Sequence, residues 1–299
     1  MSRRDQRARR SLGRLSAVVA ILVLSACASP TPGPTATPSA RAPSSTSAQA
    51  IRVTVNGLTL TGHCRGVRVG RRPVVVMSLG NGQGENGMEP TQTSLARRTR
   101  VCAYNRAGVG DSSAPRTRTR PVSAVVEEMS QFLKAAKIAP PYLLIGGSAG
   151  GVVAFMFAQA HPADVAGMVL SNPMPPPYSR DVEGARRVMT ATELHDIETP
   201  DYRGENPESI VFTGNDSMLT TPLPTALPYS ILFDENCDGD KRFCAKVLTY
   251  LPQLEASLAR VGAGGRFEWL KGAGHGIPES RPEAFAAAVD DVWSRAVRR

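Results

Sequence analysis

The stretch that most limits what this chain can fold into is Tyr142 to Gly151, Y-L-L-I-G-G-S-A-G-G. Tyr142, Leu143, Leu144 and Ile145 read as a short buried strand. A glycine cluster with Ser148 at its middle follows, and V-V-A-F-M-F-A-Q-A after it reads as a buried helix. Strand, sharp turn and helix around Gly146-Gly147-Ser148-Ala149-Gly150 make the G-x-S-x-G elbow that lifts a serine oxygen out of a sheet. A side chain at Gly146 or Gly150 would collide where strand and helix pack. The helix begins behind the serine, so its free N–H groups face the place where an oxyanion would form.

Residues 1–26 read as a removable export signal. Met1 to Ser16 carries six arginines and one aspartate, and Ala17 to Leu24 is an apolar run too short to span a bilayer. Leu24-Ser25-Ala26-Cys27 resembles a bacterial lipobox, which implies cleavage before Cys27 and a lipid on its sulfur. Residues 27–50 are proline, serine, threonine and alanine with almost no large apolar residue, the composition of a disordered tether to a membrane.

The whole chain has 35 basic and 26 acidic residues, net +9. Without the signal the counts are 29 and 25, net +4, so most of the basic excess is targeting and a nucleic-acid role loses its support. Residues 51–299 then form one large domain with a sizeable core. Cys64, Cys102, Cys237 and Cys244 remain once Cys27 is set aside, an even number in an oxidising compartment. Of three pairings, Cys64–Cys102 and Cys237–Cys244 are favoured, because the second pair is seven residues apart across one loop. No cysteine or histidine spacing points to a metal, and no cofactor is implied.

Ile51 to Val55 and Thr59 to His63 alternate around Asn56-Gly57, a hairpin signal. Strands are expected at Val74 to Leu79, Arg100 to Tyr104, Gly167 to Ser171, Tyr229 to Phe233 and Phe267 to Leu270. Helices are expected at Val122 to Ala136, Phe243 to Arg260 and Pro282 to Val297. Strands alternating with helices predict a parallel sheet covered on both faces. Pro173 to Pro228 is rich in proline and charge, with a helix around Val182 to His195, and reads as a lid over the sheet's C-terminal edge.

Five runs in this order, V-V-V-M-S-L-G-N-G, V-C-A-Y-N-R-A-G-V-G-D-S-S, G-G-S-A-G-G, A-Q-A-H-P and G-A-G-H-G-I-P, resemble the α/β-hydrolases. The resemblance implies an α/β fold: a mostly parallel eight-stranded sheet flanked by helices, with the lid at 173–228. It implies a serine nucleophile, Ser148, with an imidazole to take its proton. Of four histidines, His63 ends an early strand and His195 sits in the lid. His161 lies roughly 19 Å along the elbow helix from the serine. His275, between Gly274 and Gly276 after the last strand, is the expected base. Asn172 stands where some relatives carry the triad acid, and an amide cannot stabilise imidazolium as a carboxylate does. The next place, D-E-N-C-D-G-D, offers Asp238 as the expected acid and Asp234 as the alternative, with Asp240 beyond; the same run also has the look of a calcium-like oxygen cluster. For the oxyanion, the resemblance implies the N–H of Ala149 and that of Asn81, with Gly80 next to it.

The expected function is a secreted, lipid-anchored serine hydrolase acting on a small-molecule carboxylic ester. A-Q-A-H-P after G-G-S also resembles proline iminopeptidases, which makes an aminopeptidase the enzymatic alternative. A non-catalytic binding protein on the same scaffold is the alternative from another class.

Overall fold

The computed structural model describes residues 46–173, 190–192, 207–211, 221–234, 256 and 262–298. The chain opens with β1 (Gln49–Val55) and β2 (Leu58–Arg65), an antiparallel hairpin paired from Gln49↔Cys64 to Val55↔Leu58. Asn56 and Gly57 turn it with φ of 48° and 73°. Two left-handed residues in a row give the turn whose twist matches that of the strands. Then come β3 (Val74–Ser78), α1 (Glu89–Leu95) and β4 (Val101–Asn105). The two-residue β5 (Arg120–Pro121) leads directly into α2 (Val122–Ala135). The elbow pieces are β6 (Tyr142–Gly147) and α3 (Ala149–Ala160), followed by β7 (Val165–Ser171). After β8 (Ile210–Val211) and β9 (Tyr229–Asp234), the chain ends with β10 (Gly265–Leu270), α4 (Ile277–Ser280) and α5 (Pro282–Ala296).

The main sheet has eight strands in the order β1-β2-β4-β3-β6-β7-β9-β10. β1–β2 and β2–β4 are antiparallel; every other neighbouring pair is parallel. The centre is apolar on both faces, as covered parallel strands must be: Val74–Ser78 and Val101–Asn105 are buried throughout. One face packs on α2 and α3 through Phe132, Leu133, Val153 and Phe157; the other packs on α5 through Phe285, Val289 and Val292. Cys64 and Cys102 face each other in the β2–β4 register and form a disulfide. Closing a chain of 38 residues in this way stabilises the fold by about 4 kcal/mol in the loop-entropy account.

Several element boundaries differ from the sequence reading. β6 runs to Gly147, because Gly146 and Gly147 continue pairing with Leu170 and Ser171. α1, unanticipated, carries Pro90 in its first turn, where a missing N–H costs nothing. The helices expected over Val182 to His195 and Phe243 to Arg260 lie almost wholly outside the described residues. So do Cys27, Asp238, Asp240 and the Cys237–Cys244 pairing. Among the described residues, no helix is long and apolar enough to cross a membrane.

Candidate active site

Because β3, β6, β7, β9 and β10 run parallel, the loops that follow them all emerge at one edge of the sheet. Ser148 sits at that edge between β6 and α3, half-buried, with φ 51° and ψ −123°. For a non-glycine residue this is a strained conformation, held only where the surroundings over-determine it. Here they do. A Cβ on Gly150 would lie 2.0 Å from the carbonyl oxygen of Ser78, and one on Gly146 would lie 2.7 Å from the Gly151 Cα. Ser148 N–H donates to Ser171 O at 3.0 Å, tying the turn to β7. Ala149 opens α3, so its N–H has no acceptor one turn back within the helix.

The loop after β3 lies one strand away. Its Gly80 N–H donates to Gln83 Oε1 at 3.0 Å, which engages the neighbour of Asn81 that was the other candidate donor on this loop. The Asn81 N–H makes no hydrogen bond among the described residues, and Asn81 is exposed. The loop is held at many points. Asn105 Oδ1 accepts from Glu85 N–H at 2.7 Å. Gln92 Nε2 donates to the carbonyls of Glu85 and Gly87, both at 2.7 Å, while Gln92 Oε1 meets His63 Nε2 at 2.6 Å. His63 therefore serves as a buried support of this loop.

Beneath the same loop lies a charge pair absent from the sequence reading. Arg106 is 1% exposed and Glu208 0%. Arg106 Nε and Nη2 donate to the two Glu208 carboxylate oxygens, the Nη2 bond at 2.8 Å. Arg106 Nη1 and Nη2 also donate to the carbonyls of Leu79 (2.6 Å) and Gly80 (2.7 Å). Glu208 Oε1 accepts the Gly82 N–H at 2.7 Å. Burial alone would lower the Arg106 pKa, but the bonds and charge of Glu208 outweigh it and the net shift is upward. Tyr104, stacked on Phe132 at 4.8 Å, is held well above the ordinary phenol range by burial, then by the charge of Glu128. The Arg106 signal was visible in N-R-A-G-V-G-D; nothing local marks Glu208, 102 residues on.

On the other side, His275 lies exposed in the loop after β10. That loop is stapled along its backbone. Arg281 Nη2 donates to the carbonyls of Lys271 (2.9 Å) and Gly272 (3.1 Å), and Asp234 Oδ1 accepts the Ala273 N–H at 3.0 Å. Asn172 Nδ2 donates to the carbonyls of Gly274 and His275, both at 3.1 Å, while its Oδ1 accepts the Asp234 N–H at 2.8 Å. Two carbonyls and one N–H fix which end of the amide is which. Asn172 is thus a brace joining the ends of β7 and β9 to the histidine loop, in a left-handed conformation (φ 40°) that asparagine tolerates. Asp234 is 6% exposed; its Oδ2 is buried and makes no hydrogen bond among the described residues. Among the described residues, no group of three His, Cys, Asp or Glu side chains is placed to hold a metal.

Residues 73–190 match the family model described as the alpha/beta hydrolase fold. An uncharacterized protein, YqjL, of Bacillus subtilis (strain 168) is 32% identical over 99 residues, 33% of this chain. The chain spans 39% of the length of that curated relative. An enol-lactonase from Burkholderia xenovorans LB400 superposes with a TM-score of 0.60 at 21% identity, over 82% of this chain and 100% of that one. An epoxide hydrolase of Vigna radiata superposes with a TM-score of 0.61 at 11% identity, over 83% and 99%. Sheet order, elbow and edge loops agree with these likenesses: the chain has the α/β-hydrolase fold.

Proposed function

We propose that this chain is a serine hydrolase that cleaves a carboxylic ester through an acyl-enzyme, exported and tethered by a lipid on Cys27. The observation that carries the reading is the strained Ser148 between β6 and α3, with the Ala149 N–H behind it and an anchored loop one strand away. In this mechanism Ser148 Oγ attacks the ester carbonyl as His275 takes the hydroxyl proton. The oxyanion of the tetrahedral intermediate accepts from the N–H groups of Ala149 and Asn81. Collapse breaks the C–O bond and His275 returns its proton to the departing alkoxide. Water, deprotonated by His275, then releases the acid and restores Ser148.

Asp238 is the proposed acid. Asp234 has one carboxylate oxygen engaged by Ala273 N–H, and its second, buried and without a hydrogen bond among the described residues, keeps it as the alternative. The likeness to a lactonase supports an ester as substrate class, since a lactone is a cyclic ester. The test is covalent labelling by a fluorophosphonate probe. Wild-type protein should be labelled at Ser148, Ser148→Ala should not, and the labelled protein should lose turnover of p-nitrophenyl esters. Hydrolysis of aminoacyl anilides in preference to esters would move the reading to a peptidase; no labelling and no turnover would leave a binding protein.

A further inference from the structure

We propose that the buried Arg106–Glu208 pair is a positioning device that aims and polarises the oxyanion donor. It rests on the serine hydrolase reading. The peptide bond itself sets the geometry. Gly80 C=O and Asn81 N–H belong to one planar trans unit and point in opposite directions. Whatever grips that oxygen fixes the direction of that N–H. Arg106 Nη2 grips it at 2.7 Å from inside the protein, and Arg106 Nη1 holds the preceding carbonyl, Leu79 O, at 2.6 Å. The Asn81 N–H must then point away from the buried guanidinium. A positive charge on the oxygen side also draws electrons through the amide and makes its N–H a stronger donor.

A guanidinium left to itself would not stay in that place, buried as it is to 1% exposure. Glu208 keeps it there by taking two of its N–H groups, and its Oε1 holds the Gly82 N–H as well. Arg106 and Glu208 between them therefore fix the carbonyls of Leu79 and Gly80 and the N–H of Gly82, on both sides of Asn81. Glu208 is in turn anchored by its backbone. Arg120 Nε donates to Glu208 O at 2.9 Å, Arg120 N–H donates to Ser209 O at 2.7 Å, and β5 pairs with β8 just beyond. A Cβ on Gly108 would lie 2.1 Å from Pro207 O, so the segment sits hard against the β4 loop. The segment between β7 and β9 thus contributes a carboxylate to the machinery at the elbow.

The experiment compares wild type with Glu208→Gln and with the double variant Arg106→Met/Glu208→Met, which removes both charges together and so leaves neither buried alone. Turnover of p-nitrophenyl acetate and amide hydrogen exchange across residues 79–83 are measured on the same samples, with thermal melting confirming the fold. Loss of one well-aimed oxyanion donor costs about 10²–10³ in kcat. Each variant should lose kcat on the order of 100-fold with KM nearly unchanged, and residues 79–83 should exchange faster while the sheet does not. Folded variants with wild-type kcat overturn the proposal, whatever their exchange; so does unchanged exchange. If wild type neither turns over esters nor reacts with a fluorophosphonate, the hydrolase reading falls. Exchange then decides alone whether the pair holds the loop.

Discussion

The two loops that flank Ser148 are held by different physics. The loop after β3 rests on a charge pair buried to 0–1% exposure, whereas the histidine loop after β10 is stapled by a neutral amide, a backbone-directed carboxylate and an exposed arginine. The difference fits the work that the proposed mechanism asks of each. An oxyanion donor acts by being already in place, so rigidity at Gly80–Gly82 is an advantage. In the proposed mechanism an imidazole must accept a proton and hand it on, and His275 sits at an exposed loop tip whose backbone is held. Charge that is buried and paired serves the first role. It would hinder the second, because a fixed cation beside His275 would oppose imidazolium formation.

The largest test of this contrast is the missing charge on the histidine side. Asn172 is committed through both its N–H bonds and its oxygen, so the carboxylate that the proposed mechanism needs to stabilise imidazolium would come from elsewhere. Asp238→Asn should lower kcat by on the order of 10⁴ with little change in melting temperature. If Asp234→Asn is the damaging change and Asp238→Asn is mild, the acid is Asp234, the buried carboxylate that already holds the histidine loop through the Ala273 N–H.

Next in size is Arg106→Met. It leaves the Glu208 carboxylate buried without its partner, for which a loss of about 3–5 kcal/mol is expected. Denaturant unfolding should show it. Arg281→Met on the other side removes exposed bonds to Lys271, Gly272 and Ser280, and should cost under about 1 kcal/mol. Equal losses from the two variants would erase the distinction between the loops.

Most of the frame was legible in the sequence because it rests on local pattern. The Asn56-Gly57 hairpin, the apolar runs of β3 and β6 and the steric need for Gly146 and Gly150 each declare themselves within ten residues. What was not legible is long-range pairing of polar groups. Arg106 and Glu208 are 102 positions apart, and Glu208 lies in a proline- and charge-rich stretch that reads as a surface insertion. The two-residue pair β5–β8 is too short for any periodicity and depends on Arg120 bonding across to Glu208 and Ser209. Asn172 looked like a vacated acid position. In space it is a brace with three bonds, something spacing alone could not reveal.

Smaller than the loss at Arg106, and the most discriminating, is the effect at Asn172 itself. If this were a lost acid site, Asn172→Asp would be harmless or would even restore a function. The geometry says the reverse. The amide nitrogen faces two carbonyl oxygens, Gly274 O and His275 O, and an aspartate would set a carboxylate oxygen against both while keeping only the bond from Asp234 N–H. Asn172→Ala removes all three bonds without adding repulsion, and a loss of about 1–3 kcal/mol is expected. Asn172→Asp should be worse than Asn172→Ala in stability at neutral pH, and should recover towards it in acid as the new carboxyl takes up a proton. The sign follows from linkage. Facing two carbonyls, the introduced carboxyl has its pKa raised in the folded state, so the native protein binds the extra proton and gains stability as pH falls. Melting curves of the three proteins between pH 4 and pH 8, about the range over which such a carboxyl titrates, would show the ordering. An aspartate variant as stable as wild type across that range would mean that Asn172 does not brace His275 as described.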